Sequence, residues 1–145
     1  MNQLYHKVLL AHNRDPHHFE KPACFCCHGK AYNPRCGDDL EIYVTSGDGD
    51  ESSLQIYYTG EACAVAVASA SRMSKALAGL SREQVEASCK AFIAAIENNS
   101  ELQDQSLQTA MEPMMAVRQF SGRLGCATLA WKGTLSALSE HKKSL

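Results

Sequence analysis

The stretch CGDDLEIYVTSGDGDESSLQIYYTG, residues 36–60, carries the pattern that decides the fold. Leu40, Ile42 and Val44 alternate with Glu41 and Tyr43, and Leu54, Ile56 and Tyr58 alternate with Gln55 and Tyr57. Alternation with period two gives an extended chain one apolar and one polar face, so two strands are predicted. The acidic, glycine-rich TSGDGDESS between them has the composition of a turn, and the strands are expected to pair as an antiparallel hairpin. Cys36 and Asp38 stand where the first strand begins, with only Gly37 between them. On an extended backbone they project to the same side, a ready pair of ligands.

Upstream, Leu4, Val8, Leu9 and Ala11 are spaced for a short amphipathic helix over residues 2–13 that ends before Asp15-Pro16. From Asp15 to Gly37 no period persists, and Pro16, Pro22, Gly29, Pro34 and Gly37 punctuate what reads as a loop. Downstream, EACAVAVASASRMSKALAGL (61–80) has the length and small residues of a closely packed helix. Ser81 and Gln84 form a capping-box signature before a helix whose stripe is Val85, Cys89, Phe92 and Ile96. Residues 97–122 read as partly helical with a break near Pro113. A final helix starts near Ser121 or Gly122 and carries Leu124, Thr128, Trp131, Leu135 and Leu138. An early hairpin followed by helices predicts an α+β fold, a small antiparallel sheet with helices packed on one face, as a single domain over 1–145.

With 145 residues, 45% of them hydrophobic and 21% charged, the chain can bury a core without disulfides. A net charge of −2 and a pI of about 6.3 argue against a basic surface for nucleic acid or anionic lipid. No run reaches the length of a membrane span, and LYHKVLLAH is too short and too interrupted for a signal peptide, so a cytoplasmic protein without a membrane partner is expected. In a reducing compartment seven cysteines, an odd number, point to metal or sulfur chemistry before a disulfide framework.

Cys63 and Cys126 each fall at the start of an expected helix, where unpaired N–H groups and the helix dipole favour a thiolate. With Cys36 and Asp38 they make three soft donors and one hard one, a workable tetrahedral set for zinc, while thiolates also hold iron–sulfur clusters. The segments lie 27 and 63 residues apart, so spacing does not by itself bring them together, and small core cysteines are the alternative for Cys63 and Cys126. Cys89 lies in an apolar stripe and reads as core. In CFCCHG (24–29), Cys24, Cys26, Cys27 and His28 are too crowded for all four to hold one ion; they read as an exposed loop of reduced thiols, and the alternative is that two of them bind metal or act as mobile accessory thiols. His17 and His18 read as an exposed pair, and Met114 and Met115 as gap-fillers in the core.

Three separated motifs, NPRCGDDLEI, YYTGEACAVAVASASRMSKAL and RLGCATLAWKGTLSAL, follow one another in an order that resembles the U-type iron–sulfur cluster assembly proteins: IscU, the N-terminal domain of NifU, and SufU. The likeness runs over about residues 4 to 138. It implies Cys36, Asp38, Cys63 and Cys126 as site residues, with ASAS at 68–71 in the helix behind them. It further implies a cysteine desulfurase that delivers persulfide sulfur, iron that joins it, and apo iron–sulfur acceptor proteins that receive the cluster. The long interval between Cys63 and Cys126 is similar to the SufU branch, and Arg123 matches an arginine of that branch near the desulfurase contact. Gly125 stands where IscU has histidine, which implies Asp38 as fourth ligand. Gly125 also departs from the lysine common in SufU, and CFCCHG has no counterpart in the pattern.

The preferred expectation is a SufU-like protein with resting Zn2+ at these residues, a candidate zinc-dependent sulfurtransferase, that accepts sulfur on Cys126 because its helix-start position beside Arg123 favours the thiolate. The alternatives are a scaffold that holds iron or a transient [2Fe–2S] cluster at the same residues, and a zinc-stabilised interaction module without sulfur chemistry.

Overall fold

The computed structural model describes residues 3–47 and 51–144. In chain order it comprises helix α1 (Gln3–Arg14), strands β1 (Cys27–Asn33), β2 (Asp38–Ser46) and β3 (Leu54–Glu61), and helices α2 (Ala64–Ala76), α3 (Arg82–Glu97), α4 (Gln105–Met111) and α5 (Leu124–Ser144). Tighter 3-10 segments, Glu112–Gln119 and Ser121–Arg123, join α4 to α5. This is the expected α+β fold with an antiparallel sheet, here of three strands in the order β1-β2-β3. Among the described residues no helix is long and apolar enough to cross a membrane.

The expected antiparallel hairpin forms, with Ile42 opposite Tyr58 and Val44 opposite Ile56. Residues 48–50 of its connection lie outside the described residues. The expected loop over 15–37 is corrected: Cys27–Asn33 pairs antiparallel with β2, Gly29 opposite Ile42 and Ala31 opposite Leu40. The alternation is present, but its inward members are Cys27, Gly29 and Ala31, too small to register as a hydrophobic face. The helix expected over 61–80 is shorter, because Glu61 still belongs to β3 and the chain turns after Ala76. Ser81 caps α3 by the foreseen reciprocal bonds with Gln84. The break near Pro113 is a change from α to 3-10 geometry at Glu112.

Size selection explains the small residues of β1. α5 lies across β1 and β2, with α2 and α3 against its other sides. A Cβ on Gly29 would stand 2.7 Å from both Ala137 N and Gly133 O, and one on Gly133 would stand 2.7 Å from Ile42 Cγ1. Two glycines face to face thus let helix backbone and strand backbone approach closely. Because α5 is enclosed, its buried set is wider than one stripe: Cys126, Ala127, Thr128, Leu129, Ala130, Trp131, Gly133, Thr134, Ala137 and Leu138. Trp131 stacks on Phe92 with centroids 4.1 Å apart, worth about 1 kcal/mol beyond the area both bury. Met114, Met115 and Cys89 are buried in the same core, as expected.

Polar bonds fix α2 within this arrangement. Ser69 Oγ donates to Ala127 O at 2.5 Å and accepts from Trp131 Nε1 at 2.9 Å, tying α2 to α5. His17 and His18 are half-buried, which corrects their reading as an exposed pair. His17 bonds Ser71 and Ser74 of α2, and His18 bonds Ile56 O and stacks on Tyr57, so this segment is clamped to the fold. The partners come from distant elements, and nothing local to Asp15-Pro16 announces them.

Candidate metal centre

The turn Asn33–Gly37 delivers the first donors. Gly37 N donates to Asn33 O at 2.9 Å, and Gly37 has φ +72°, a left-handed conformation for which glycine carries no steric penalty. Cys36 therefore sits in a tight turn, while Asp38 is the first residue of β2. Their common direction arises from the turn, not from the extended backbone anticipated for them.

Asp38 is fully buried. Its Oδ1 accepts from the backbone N–H of Cys63 at 2.7 Å, and its Oδ2 lies 3.8 Å from Cys63 Sγ. Cys63 is the N-cap of α2, extended at φ −69° and ψ 168°, so the carboxylate also faces the positive end of that helix. Cys126 is the third residue of α5, and its Sγ lies 3.0 Å from Cys36 Sγ. Donor atoms of Cys36, Asp38 and Cys126 all lie within 4.8 Å of one another. Cys63 lies outside that group of three and touches it only at Asp38, so the structure brings Cys36, Asp38 and Cys126 together with Cys63 at the edge. Arg123 stands exposed at the rim, with Nη1 3.7 Å from Cys36 Sγ.

One expectation is corrected here. A place in the first turn of α5 favours a thiolate, yet Cys126 is 0% exposed. Burial pushes its thiol well above the ordinary range, and hydrogen bonds to Cys36 and Asp38 add to the rise. Depth is something a helix position does not encode. The guanidinium of Arg123 is pushed up in turn, first by its bond to Cys126 and then by the charges of Cys63, Cys126 and Cys36. The hydroxyl of Tyr5 is raised chiefly by burial; Arg123 opposes that rise, and the charges of Cys63 and Cys126 add to it.

Asn33 is a member of the site that the sequence does not mark. Its Nδ2 lies 3.4 Å from Asp38 Oδ2 and 3.5 Å from Cys126 Sγ, bridging the hard and soft donors. A Cβ on Gly125 would stand 3.3 Å from that Nδ2, so the bare backbone at 125 leaves the amide its place. The only signal is the first letter of NPRCGD, and an amide offers no ligand chemistry of its own.

Two thiols and a buried carboxylate within 4.8 Å of one another, with the Cys63 thiol 3.8 Å from that carboxylate, fit a thiophilic divalent cation, which would replace the protons and balance the charge. By contrast, Cys24, Cys26 and Cys27 lie apart from this group, with Cys24 exposed, Cys26 half-buried and Cys27 buried at the head of β1.

Residues 4–141 match the family described as NifU-like N terminal domain. The chain is 29% identical to the iron–sulfur cluster assembly scaffold protein IscU of Streptococcus pyogenes serotype M1 over 147 residues, covering 95% of this chain and 84% of that one. It is also 29% identical to the zinc-dependent sulfurtransferase SufU of Bacillus subtilis over 144 residues, covering 98% and 94%. The crystal structure of an N-terminal NifU-like protein from Brucella abortus has the same fold, with a TM-score of 0.83 at 17% identity over 98% of this chain and 96% of that one.

Proposed function

Because the chain belongs to the NifU-like N-terminal domain family, we propose that it supports iron–sulfur cluster assembly by accepting persulfide sulfur from a cysteine desulfurase at a centre formed by Cys36, Asp38, Cys63 and Cys126. The observation that carries this reading is that donor atoms of Cys36, buried Asp38 and Cys126 lie within 4.8 Å of one another, with Cys63 Sγ 3.8 Å from Asp38 Oδ2. Bound zinc would hold the thiols deprotonated without redox change. Cys126 is the acceptor. Its sulfur attacks the terminal sulfur of the desulfurase persulfide, a sulfur–sulfur bond forms on Cys126, and the desulfurase cysteine leaves as thiolate.

The burial of Cys126 sets a condition on that step. Cys36 is only half-buried and lies 3.0 Å from it, so the pair must part to admit the incoming sulfur. Arg123 at the rim offers a positive charge where both sulfurs carry negative charge. The acceptor proteins and the desulfurase are cytoplasmic partners in this reading.

Elemental analysis of the purified protein with Cys36→Ala and Cys126→Ala alongside tests the centre. About one zinc per chain, diminished in both variants and without visible colour, is the expected result. Cys126→Ala should take up no sulfur from a desulfurase and cysteine, measured by mass spectrometry of the intact chain. Persulfide formation on that variant at the rate of the unchanged protein would refute the acceptor assignment.

A second reading is favoured by the likeness to a scaffold protein and by Asp38 itself. Here the same residues hold a transient [2Fe–2S] cluster for transfer, and the hard carboxylate is the weak ligand that lets it go. A brown chromophore with iron and acid-labile sulfide in protein purified without oxygen would favour it over zinc.

A further inference from the structure

Cys24, Cys26 and Cys27 have no part in the centre described above. β1 runs from Cys27 to Asn33, and seven extended residues span about 20 Å, so these thiols and the metal donors lie at opposite ends of one strand. Cys27 points into the core and is 4% exposed, whereas Cys26 is half-buried and precedes the strand in a bend. Neighbouring side chains within a strand point to opposite faces. The bend cancels that divergence and brings Cys26 Sγ to 3.1 Å from Cys27 Sγ. On its open side Cys26 lines a shallow pocket of about 210 Å³ with Cys24, Phe25, Thr45 and Ser46.

A metal does not suit this pair. Among the described residues no third donor stands close enough to complete a metal site with them. His28 lies on the other face of the sheet, stacked on Tyr43 at 5.0 Å with Nε2 3.3 Å from Glu41 Oε1. Among the described residues the group of three or more donors is Cys36, Asp38 and Cys126.

Sulfur atoms in contact, one reachable from solvent and one enclosed, are instead arranged for exchange between thiols and disulfides. We propose that Cys26 and Cys27 form a second, redox-responsive site that reacts with low-molecular-weight disulfides and closes to a reversible bond between adjacent residues. The Cys26 thiolate attacks a small disulfide RSSR, forms a mixed disulfide and releases one RS⁻. The sulfur of Cys27 then loses its proton and attacks Cys26 sulfur, displacing the second RS⁻. Both protein thiols are thereby oxidised and one small disulfide is reduced to two thiols.

The order follows from access. Burial and the bond to Cys26 push the Cys27 thiol up to about 12, so Cys27 acts second, on a sulfur already beside it. Reversibility follows from geometry: adjacent Cα atoms stand about 3.8 Å apart, closer than the roughly 4.4–6.8 Å of ordinary disulfides, and strained disulfides are the readily reduced ones. Closure also disturbs the sheet locally, because Cys26 N donates to Val44 O at 2.8 Å and Cys27 pairs with the same Val44.

The test is to treat zinc-loaded protein with glutathione disulfide and to map the cysteines by peptide mass spectrometry, using Cys24→Ala, Cys26→Ala and Cys27→Ala. Loss of two hydrogens from a Cys26–Cys27 bond is expected in the unchanged chain and in Cys24→Ala, with complete loss of that modification in Cys26→Ala. Cys27→Ala should stop at a glutathione adduct on Cys26. A Cys24–Cys26 bond, or an unreacted Cys26 while other cysteines oxidise, would overturn the proposal. Should Cys27→Ala fail to fold, the other three chains decide the matter alone. These outcomes are independent of sulfur acceptance at Cys126, so this site and the metal centre stand or fall separately.

Discussion

Asp38 does two things at once: its Oδ1 holds the backbone N–H of Cys63, and its Oδ2 faces the thiols. Replacing it by alanine leaves a partly buried N–H at the start of α2 without that acceptor, a cost of about 1–3 kcal/mol readable as a lower denaturant midpoint. The same variant should lengthen the lifetime of a reconstituted cluster, followed by its visible absorbance, because a weak hard ligand has gone. A shorter lifetime would count against the scaffold reading. At this scale the sequence is informative wherever chemistry shows in a residue type. Cys36, Asp38, Cys63 and Cys126 are legible because thiols and a carboxylate recur at element boundaries in recognisable motifs. Asn33 is not, since it acts only through the groups it touches. The burial of Cys126 is hidden as well, since position within a helix says nothing of depth in the molecule.

β1 is hard to see as an element for a reason that lies in another element. Its inward face reads Cys27, Gly29, Ala31 because α5 lies so near, and small residues on one face look like irregular chain until the helix above them is known. The hairpin and α3 are legible because their own side chains supply period and cap. Closeness at Gly29 carries a prediction. A Cβ there would meet backbone atoms, Ala137 N and Gly133 O, whereas a Cβ on Gly133 meets mainly the side chains of Ile42 and Ala31. Gly29→Ala should therefore destabilise by about 3 kcal/mol or more and Gly133→Ala by about 1–3, measured by urea unfolding. Gly29→Ala should also lower zinc retention, since lifting α5 from the sheet carries Cys126 away from Cys36. Equal costs at the two positions would show that α5 shifts as easily as a side chain.

For the whole molecule, the core from Leu40 through Phe92 to Trp131 is continuous without help from the metal centre. Stripping zinc with a chelator should leave the helical circular dichroism and a cooperative unfolding transition in place, with a lower midpoint; complete unfolding would instead support the zinc-stabilised interaction module. A second global property is its response to acid. His12 is 7% exposed, bonded to Ser71 Oγ at 2.6 Å, and its pKa is lowered to about 4, chiefly by burial and then by Arg72 and Lys75. His17 is lowered too, again mainly by burial. The unfolded chain takes up a proton near pH 6.5 and the folded chain only near 4, so stability is lost as pH falls through that window, by about 1–3 kcal/mol for His12. His12→Gln should flatten that part of a urea-midpoint profile, and an unchanged slope would remove His12 from the account. α5, finally, supplies both the centre of the core and the last of the four donors. Synthesis runs from the N-terminus, so a growing chain on the ribosome displays Cys36, Asp38 and Cys63 long before Cys126 exists. Until α5 emerges there is neither a floor for the sheet nor a Cys126 to complete the proposed centre.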